Sequence, residues 1–242
     1  MRFRLSLAMA SVLAVGAVST GAAAPIPATV GLDIVSQYVW RGWKMTDEVT
    51  VQPSASLDLG PSGFSLGLWG SFASQNRDLY DAADELDFSV AYERGLGALW
   101  NPVTVGFGYT RHTFPNLDLD NGSNEAYLRA DAALPMLNAG ASLAHDFDLL
   151  DGNYLEGHVS PPASLLSQLP LPGLNLELGL GVSDYDQSWG FQDFKGVLSL
   201  NLPLGPWLSA GPMAGFSYSD EALNGPDDKG NWFAGLSIRA LN

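Results

Sequence analysis

The sequence predicts an all-β fold, a single antiparallel transmembrane β-barrel of about 12 strands. Three observations lead to this fold class. Successive segments alternate apolar and polar residues, the connections between them alternate between short and long, and aromatic residues gather near both ends of the segments. Together they favour a membrane barrel over a water-soluble β-sandwich, in which side chains also alternate along each strand.

The clearest strand is Leu174–Val182, which reads L-N-L-E-L-G-L-G-V. Its leucines and valine share one parity, and its asparagine, glutamate and glycines share the other. Because side chains alternate faces along an extended chain, the segment has one apolar face and one small or polar face. In a sandwich the apolar face would pack in a core, whereas in a barrel it would contact lipid and the polar face would line the lumen.

The same alternation recurs along the chain, beginning with a first strand in which Val30, Leu32, Ile34 and Tyr38 share the apolar parity. The opposite parity collects side chains that lipid would exclude. They are Asp33, Gln37, Arg41, Asp58, Glu85, Asp87, Glu93, Glu125, Arg129, Asp131, Asp146, Glu156, Glu177, Asp193, Lys195 and Arg239.

The connections separate the membrane barrel from the sandwich. Every second connection is short and rich in Pro and Gly, as at 61–63, 95–97, 134–136 and 203–206, and the others are longer and acidic. Outer-membrane barrels distribute periplasmic turns and external loops in this way, which predicts that both termini are periplasmic. Residues 160–173 break the rule with a Pro- and Leu-rich connection, for which an interfacial flap or an extra half-strand is predicted.

Aromatic residues form two groups along the predicted strands. The topology places Tyr38, Trp40, Phe72, Tyr109, Tyr185, Phe216, Tyr218 and Trp232 near the outer rim, and Phe64, Tyr92, Trp100 and Trp207 near the inner rim. Amphipathic rings favour the two membrane–water interfaces. The pattern therefore predicts two aromatic girdles on the lipid-facing surface.

The N-terminus predicts export. Arg2 and Arg4 precede an apolar run that ends in the small residues 19–24, which is the pattern of a secretory signal peptide. We therefore expect a signal peptide over residues 1–24 and the barrel over residues 25–242. Loss of the two arginines changes the formal charge from −15 to −17, which disfavours nucleic acid as a partner.

Nine charged residues of the polar parity are candidates for lining the lumen and setting its selectivity: Arg41, Glu85, Asp87, Glu125, Arg129, Asp131, Glu177, Asp193 and Lys195. Carboxylates outnumber bases among them, and unpaired carboxylates in an open lumen stabilise a cation. Arg41, placed at the upper end of the first strand, is predicted to form a salt bridge that fixes the first hairpin, with a role in selectivity at the mouth as the alternative.

No catalytic residue, cofactor or metal ligand is predicted. The absence of cysteine excludes disulfides and thiolate metal sites. Two acidic runs, Asp118, Asp120, Asn121 and Glu125, and Asp227 and Asp228, lack the spacing of a calcium loop and indicate solvated loops. The histidines are His112, His145 and His158, and His145 has lipid-side parity with no serine beside it on that face, which disfavours a barrel hydrolase.

Short motifs spread over most of the chain resemble the TorF-type porins. They begin with Ser36, Tyr38, Arg41 and Gly42 in S-Q-Y-V-W-R-G, and continue with Thr46, Pro53, Gly63-Phe64, Gly67, Trp69, Ser71, Glu85, Asp87, Tyr92, Gly108-Tyr109, Pro115, Glu125, Tyr127, Asp193 and Lys195. The resemblance implies an outer-membrane barrel of the porin type without naming its solute. One departure is the end of the chain, Ala240-Leu241-Asn242, where barrel proteins commonly have an aromatic residue.

The sequence as a whole predicts an outer-membrane, porin-like channel of a Gram-negative bacterium, with passive diffusion of small hydrophilic solutes and weak cation selectivity. The expected partners are outer-membrane lipids and lipopolysaccharide, small solutes or ions, and the barrel-assembly machinery. A closed structural or adhesive barrel acting through acidic external loops is the first alternative. Barrels of ~8 strands are filled by side chains and barrels of ~16 leave an aqueous pore, and a barrel of about 12 strands lies between these cases. An outer-membrane lipid hydrolase and a secreted sandwich are the others.

Overall fold

The computed structural model describes residues 26–75, 84–97, 102–116, 122–219 and 229–242. The strands are β1 (Ala28–Val35), β2 (Tyr38–Trp40), β3 (Trp43–Thr46), β4 (Thr50–Asp58), β5 (Phe64–Ala73), β6 (Glu85–Gly95), β7 (Val103–Thr113), β8 (Ser123–Ala133), β9 (Asn138–Asp146), β10 (Gly152–Ser160), β11 (Leu174–Ser183), β12 (Gly190–Leu200), β13 (Leu202–Pro203), β14 (Leu208–Ser219) and β15 (Gly230–Leu241). A 3-10 turn, Gly60–Ser62, and one helix, α1 (Ala163–Leu166), complete the elements.

Some sequence-based predictions concern other parts of the chain. The predicted signal peptide, Trp100 and the acidic positions Asp118, Asp120, Asn121, Asp227 and Asp228 lie outside the described residues. Within the described residues, no helix combines the length and the apolar character needed to cross a membrane.

Twelve long strands pair antiparallel with their neighbours and close into a barrel. Each pairs with the next in the order β1, β4 to β12, β14 and β15, and β15 returns to β1, where Val30 pairs with Ala240. The two-residue β13 pairs with β14, and β2 pairs only with β3 in a separate small sheet. The predicted closed antiparallel barrel of about 12 strands is confirmed.

The apolar parity faces outward. In β11, Leu178 and Leu180 are 39% and 52% exposed, whereas Gly179 and Gly181 on the opposite face are buried. Leu128, Leu143 and Leu155 are paired side by side on neighbouring strands and are all exposed. No second sheet covers these leucines, so the sandwich alternative is wrong.

The buried residues gather at one end of the barrel and most of them are polar. We call this the loop end, and we call the opposite end, where β1 begins and β15 ends, the turn end. Thr50, Ser71, Ser123, Gln192, Asp193 and Ser219 are almost fully buried, and all lie within four residues of the loop end of their strands. Strand neighbours alone cannot cover inward side chains in a hollow barrel, so something else fills the lumen at this end.

The first strand is shorter than predicted, and the residues that follow it cover the buried polar side chains at the loop end. It ends at Val35, and the connection over residues 36–49 forms the hairpin β2–β3. Tyr38 packs against the inward-facing Trp69 with 5.4 Å between ring centroids, and Trp43 packs against Tyr185 at 5.5 Å, with tilted rings in both pairs. The prediction that Tyr38, Trp40 and Tyr185 belong to the lipid-facing girdle is therefore wrong, because these rings pack inside the barrel.

Two aromatic groups do lie on the outer surface. Phe216 and Trp232 pack at 4.6 Å near the loop end, and Phe64, Tyr92 and Phe107 form a row near the turn end, with centroid distances of 5.0 and 5.3 Å.

The irregular connection between β10 and β11 is a short helix with turns. It comprises α1 and a Pro-rich turn before Leu174. The extra half-strand predicted as one alternative for this segment is therefore wrong, and the segment lies as a flap over the turn end.

Candidate functional site

The hairpin β2–β3 folds into the lumen and reaches the opposite wall. Its two-residue tip, Arg41-Gly42, has φ values of 47° and 86°, as a tight hairpin turn of the primed type requires. A Cβ added at Gly42 would lie 2.7 Å from the Cβ atoms of both Asp193 and Ser219. The tip therefore touches β12 and β14 so closely that only glycine fits.

Arg41 anchors the tip to two further parts of the wall. Its guanidinium forms a two-pronged contact with Glu125 of β8, at 2.7 Å for Nη1–Oε2 and 3.0 Å for Nη2–Oε1. Nη1 also donates to the Tyr185 hydroxyl, and the guanidinium carbon lies 4.3 Å from the Tyr154 ring centroid. Burial opposes the charge of Arg41, but its contacts with Glu125, Tyr185 and Tyr154 together outweigh burial and raise the pKa of Arg41.

Gln192 fixes the backbone of the tip. A register shift in the β11–β12 pairing at Gly181 and Val182 places Gln192 opposite no residue of β11. The side chain is 1% exposed, donates to the Arg41 carbonyl at 2.9 Å and accepts from Ser183 at 2.8 Å. The β-bulge thus aims an amide at the hairpin, a common use of bulges.

Below the hairpin the lumen is hollow and polar. A cavity of about 360 Å³ lies between the tip and the wall, where Lys195 donates to Glu156 at 2.8 Å and Tyr154 donates to Asp193 at 2.7 Å. A second cavity, of about 730 Å³, opens at the turn end beneath α1. Glu177 and Val197 line both cavities, so the two cavities are neighbours along the lumen.

The remaining predicted site residues form pairs on the wall. Arg129 contacts Glu93 at 3.0 Å and Asp131 at 2.8 Å, and Asp131 also contacts His158 at 3.1 Å. Glu85 and Asp87 contact His112. All nine predicted residues thus face the lumen, but they belong to separate groups along the barrel. Their role in selectivity stays a prediction.

The position predicted for Arg41 needs correction. It does not end the first strand but forms the tip of the inward hairpin, and its salt-bridge partner is 84 residues away in sequence. The contacts of Arg41 come instead from Glu125, Tyr185 and Tyr154, which belong to the far wall and its loops.

Sequence reasoning missed several residues of the site. His112, Glu156, Tyr154 and Gln192 were not among the candidates, although the first three have the inward parity. The register of the β6–β7 pair, which sets Asp87 opposite His112, would have been the signal for His112.

His145 lies on the outer face, where it pairs with Asn153 at 3.1 Å, while Ser142 faces the lumen.

Comparisons with known proteins agree with a porin-like barrel. The model of a family described as "Bacterial protein of unknown function (Gcw_chp)" matches residues 19–195. No curated protein matches the chain. Among solved structures, the KdgM porin is 11% identical over 88% of this chain and 98% of its own, with a TM-score of 0.58. KdgM in complex with disordered oligogalacturonate gives 10% identity, 89% and 98% coverage and a TM-score of 0.56, and the NanC porin gives 12%, 88%, 98% and 0.52. At such identities the likeness shows the fold.

Proposed function

Because this chain belongs to the Gcw_chp family of bacterial proteins of unknown function, we propose its function from its geometry: an outer-membrane, porin-like channel for passive diffusion of small hydrophilic solutes. One observation carries the proposal. The barrel encloses polar cavities, and the hairpin β2–β3 crosses the lumen near the loop end, which is the arrangement of a pore with a constriction. A barrel with a purely structural role has no need of a hollow interior.

The hairpin determines what passes. It narrows the lumen at the loop end, and its anchors are an ion pair, an amide contact and the contact of the Arg41 guanidinium with the Tyr154 ring. Solutes would pass beside the Arg41–Glu125 contact or displace the tip. This arrangement favours small solutes over polymers.

Weak cation selectivity is part of the proposal, and the charges of the wall support it. Four bases, Arg41, Arg129, Lys195 and Arg239, are each held by a carboxylate at 2.7 to 3.0 Å. Further inward carboxylates remain, among them Glu177, which is exposed to the cavity, and Asp193, whose contact at 2.7 Å is the Tyr154 hydroxyl. The net field of such a wall attracts cations.

The proposed location is the outer membrane, which the protein reaches by export and barrel assembly. An outer membrane of a Gram-negative bacterium is the setting in which an exposed leucine belt and a polar lumen are both satisfied. In this membrane, the predicted signal peptide serves export, the barrel-assembly machinery is the partner during folding, and lipopolysaccharide is the partner at the outer surface. The likeness of the KdgM and NanC porins in fold supports this location, as does the resemblance of the short motifs to TorF-type porins.

Planar-bilayer recording of the refolded protein tests the proposal. We expect discrete channel openings from the wild type and a larger conductance from Arg41→Ala. Removing one partner of a buried ion pair costs ~3–5 kcal/mol, so the inward position of the hairpin becomes less favourable once Glu125 is left alone. Arg239→Ala is the matched control, because it breaks a pair with Asp33 at 2.7 Å that joins β15 to β1 within the wall.

Two outcomes would contradict the proposal. If neither the wild type nor Arg41→Ala conducts, the chain is a closed structural or adhesive barrel that acts through its acidic loops, which the occluding hairpin also allows. If anions carry most of the current in a salt gradient, the reversal potential rejects cation selectivity while the channel itself stands.

A further inference from the structure

Two carboxylates and one imidazole meet on the inner wall beside the hairpin. Glu85 and Asp87 are two residues apart in β6, so both side chains point into the lumen. His112 of β7 is paired with Asp87 across the strands. All three are near the loop end and are mostly buried, with side chains 8%, 14% and 13% exposed.

The ligating atoms have the separation of a metal site. His112 Nδ1 lies 3.4 Å from Glu85 Oε1 and 3.1 Å from Asp87 Oδ1, and one ligating atom from each residue lies within 4.8 Å of the others. Ligands held 2.0–2.2 Å from a tetrahedral metal ion are ~3.4 Å apart. Small side-chain movements would therefore place one ion between the three groups.

The charges of Glu85, Asp87 and His112 also favour the binding of a divalent cation. Two adjacent buried carboxylates repel each other, and a protonated His112 would compensate only one of them. A divalent cation bound to both carboxylates and a neutral imidazole leaves no net charge. Hydrogen bonding is incomplete as well, since His112 Nε2 is buried without a hydrogen-bond partner.

We propose that Glu85, Asp87 and His112 bind one divalent first-row transition-metal ion in the outer part of the lumen. Carboxylate oxygens with one imidazole nitrogen suit ions such as Mn²⁺, Fe²⁺, Co²⁺ or Zn²⁺ and favour them over Ca²⁺ and Mg²⁺, which prefer oxygen ligands alone. The site goes beyond the proposed channel function and does not require it, because binding needs only the folded barrel.

The site would also stabilise the hairpin. Tyr38 of β2 forms a side-chain hydrogen bond with the Glu85 carboxylate. An ion that fixes this carboxylate would therefore also fix the position of Tyr38 at the base of the hairpin. Partners outside the ligand set commonly orient metal ligands in this way.

Cobalt titration of the refolded, chelator-treated protein tests the site. Co²⁺ stands in for the native ion because its visible absorption reports ligand number and geometry. We expect about one equivalent to bind to the wild type and at least ~10-fold weaker binding to His112→Gln and Glu85→Gln. The matched control is His158→Gln, because His158 also faces a lumen carboxylate, Asp131 at 3.1 Å, but no second one.

The outcomes are decisive. Wild-type protein that binds no Co²⁺ overturns the site, as does equal weakening by His158→Gln, or Co²⁺ binding that His112→Gln and Glu85→Gln leave unchanged. Heat-modified migration on gels shows whether each variant has refolded, and Asp87→Asn replaces any variant that has not. A chain that binds Co²⁺ but carries no current would reject the channel and keep the metal site.

Discussion

At the residue scale, the hairpin tip depends on two neighbours with different roles. Arg41 supplies contacts, with Glu125, Tyr185 and Tyr154 surrounding its guanidinium. Gly42 supplies space, because no side chain fits between the tip and the wall. Both residues also have the positive φ that the turn requires. The lumen is therefore constricted by a contact that one extra methyl group can disturb.

Gly42→Ala is expected to displace the hairpin and raise the single-channel conductance. The added Cβ meets Asp193 and Ser219 at 2.7 Å, on a backbone with φ of 86°. Gly60→Ala is the matched control, since Gly60 has φ of 65° but nothing within 4 Å of an added Cβ. Both substitutions carry the left-handed penalty of ~1–2 kcal/mol, so only a steric effect on the lumen separates them. Equal conductance of the two variants would contradict the described position of the tip.

At the element scale, the hairpin is held by the loop that faces it. Tyr185 lies in the connection between β11 and β12, and Asp184 ties the start of this connection to the start of β10. Asn153 donates its backbone N–H and, at 2.7 Å, its side-chain amide to the Asp184 carboxylate. These bonds lower the pKa of Asp184, because they favour its charged form.

This lowered pKa predicts an acid dependence of stability. A carboxyl group whose folded pKa is depressed stabilises the protein above its unfolded pKa, which is about 3.9, and the contribution is lost as the pH falls through the lowered value. We expect Asp184→Asn to unfold at lower urea concentration than the wild type at pH 6, and the difference to shrink on acidification to about pH 3.

Asp186→Asn serves as the control for the same loop. Asp186 accepts hydrogen bonds from Ser188 only two residues away, so it does not tie the loop to β10. A difference in urea unfolding between Asp184→Asn and wild type that stays constant from pH 6 to about pH 3 would contradict the linkage. A carboxylate that titrates in this range must contribute a pH-dependent free energy of unfolding.

At the scale of the whole molecule, adjacent residues have opposite environments. Leu143 of β9 is outward and 40% exposed, between Leu128 and Leu155. Ser142, the residue before it, faces the lumen and lines the cavity below the hairpin. The barrel is stable only where the outer face contacts lipid and the inner face contacts polar groups or water.

Leu143→Arg is expected to lower the free energy of unfolding in lipid vesicles by ~2–4 kcal/mol, the cost of a basic side chain near the bilayer centre. Ser142→Arg moves the same charge to the lumen, where Glu156 lies on the neighbouring strand, and a smaller change is expected. Urea titration of both variants, followed by tryptophan fluorescence, gives the comparison. Similar losses in the two variants would contradict the assignment of the lipid face.

Within the long strands, the sequence alone determined which residues face outward and which face the lumen, as Leu174–Ser183 shows, because alternation is a local property of extended backbone. It also determined where most strands end, through the Pro- and Gly-rich turns and acidic loops. Only the tertiary structure decided that residues 36–49 fold inward, and that Arg41 meets Glu125 and His112 meets Glu85. The physical reason is that these contacts depend on strand register and on barrel closure, which bring together residues as distant in sequence as Arg41 and Gln192, 151 positions apart.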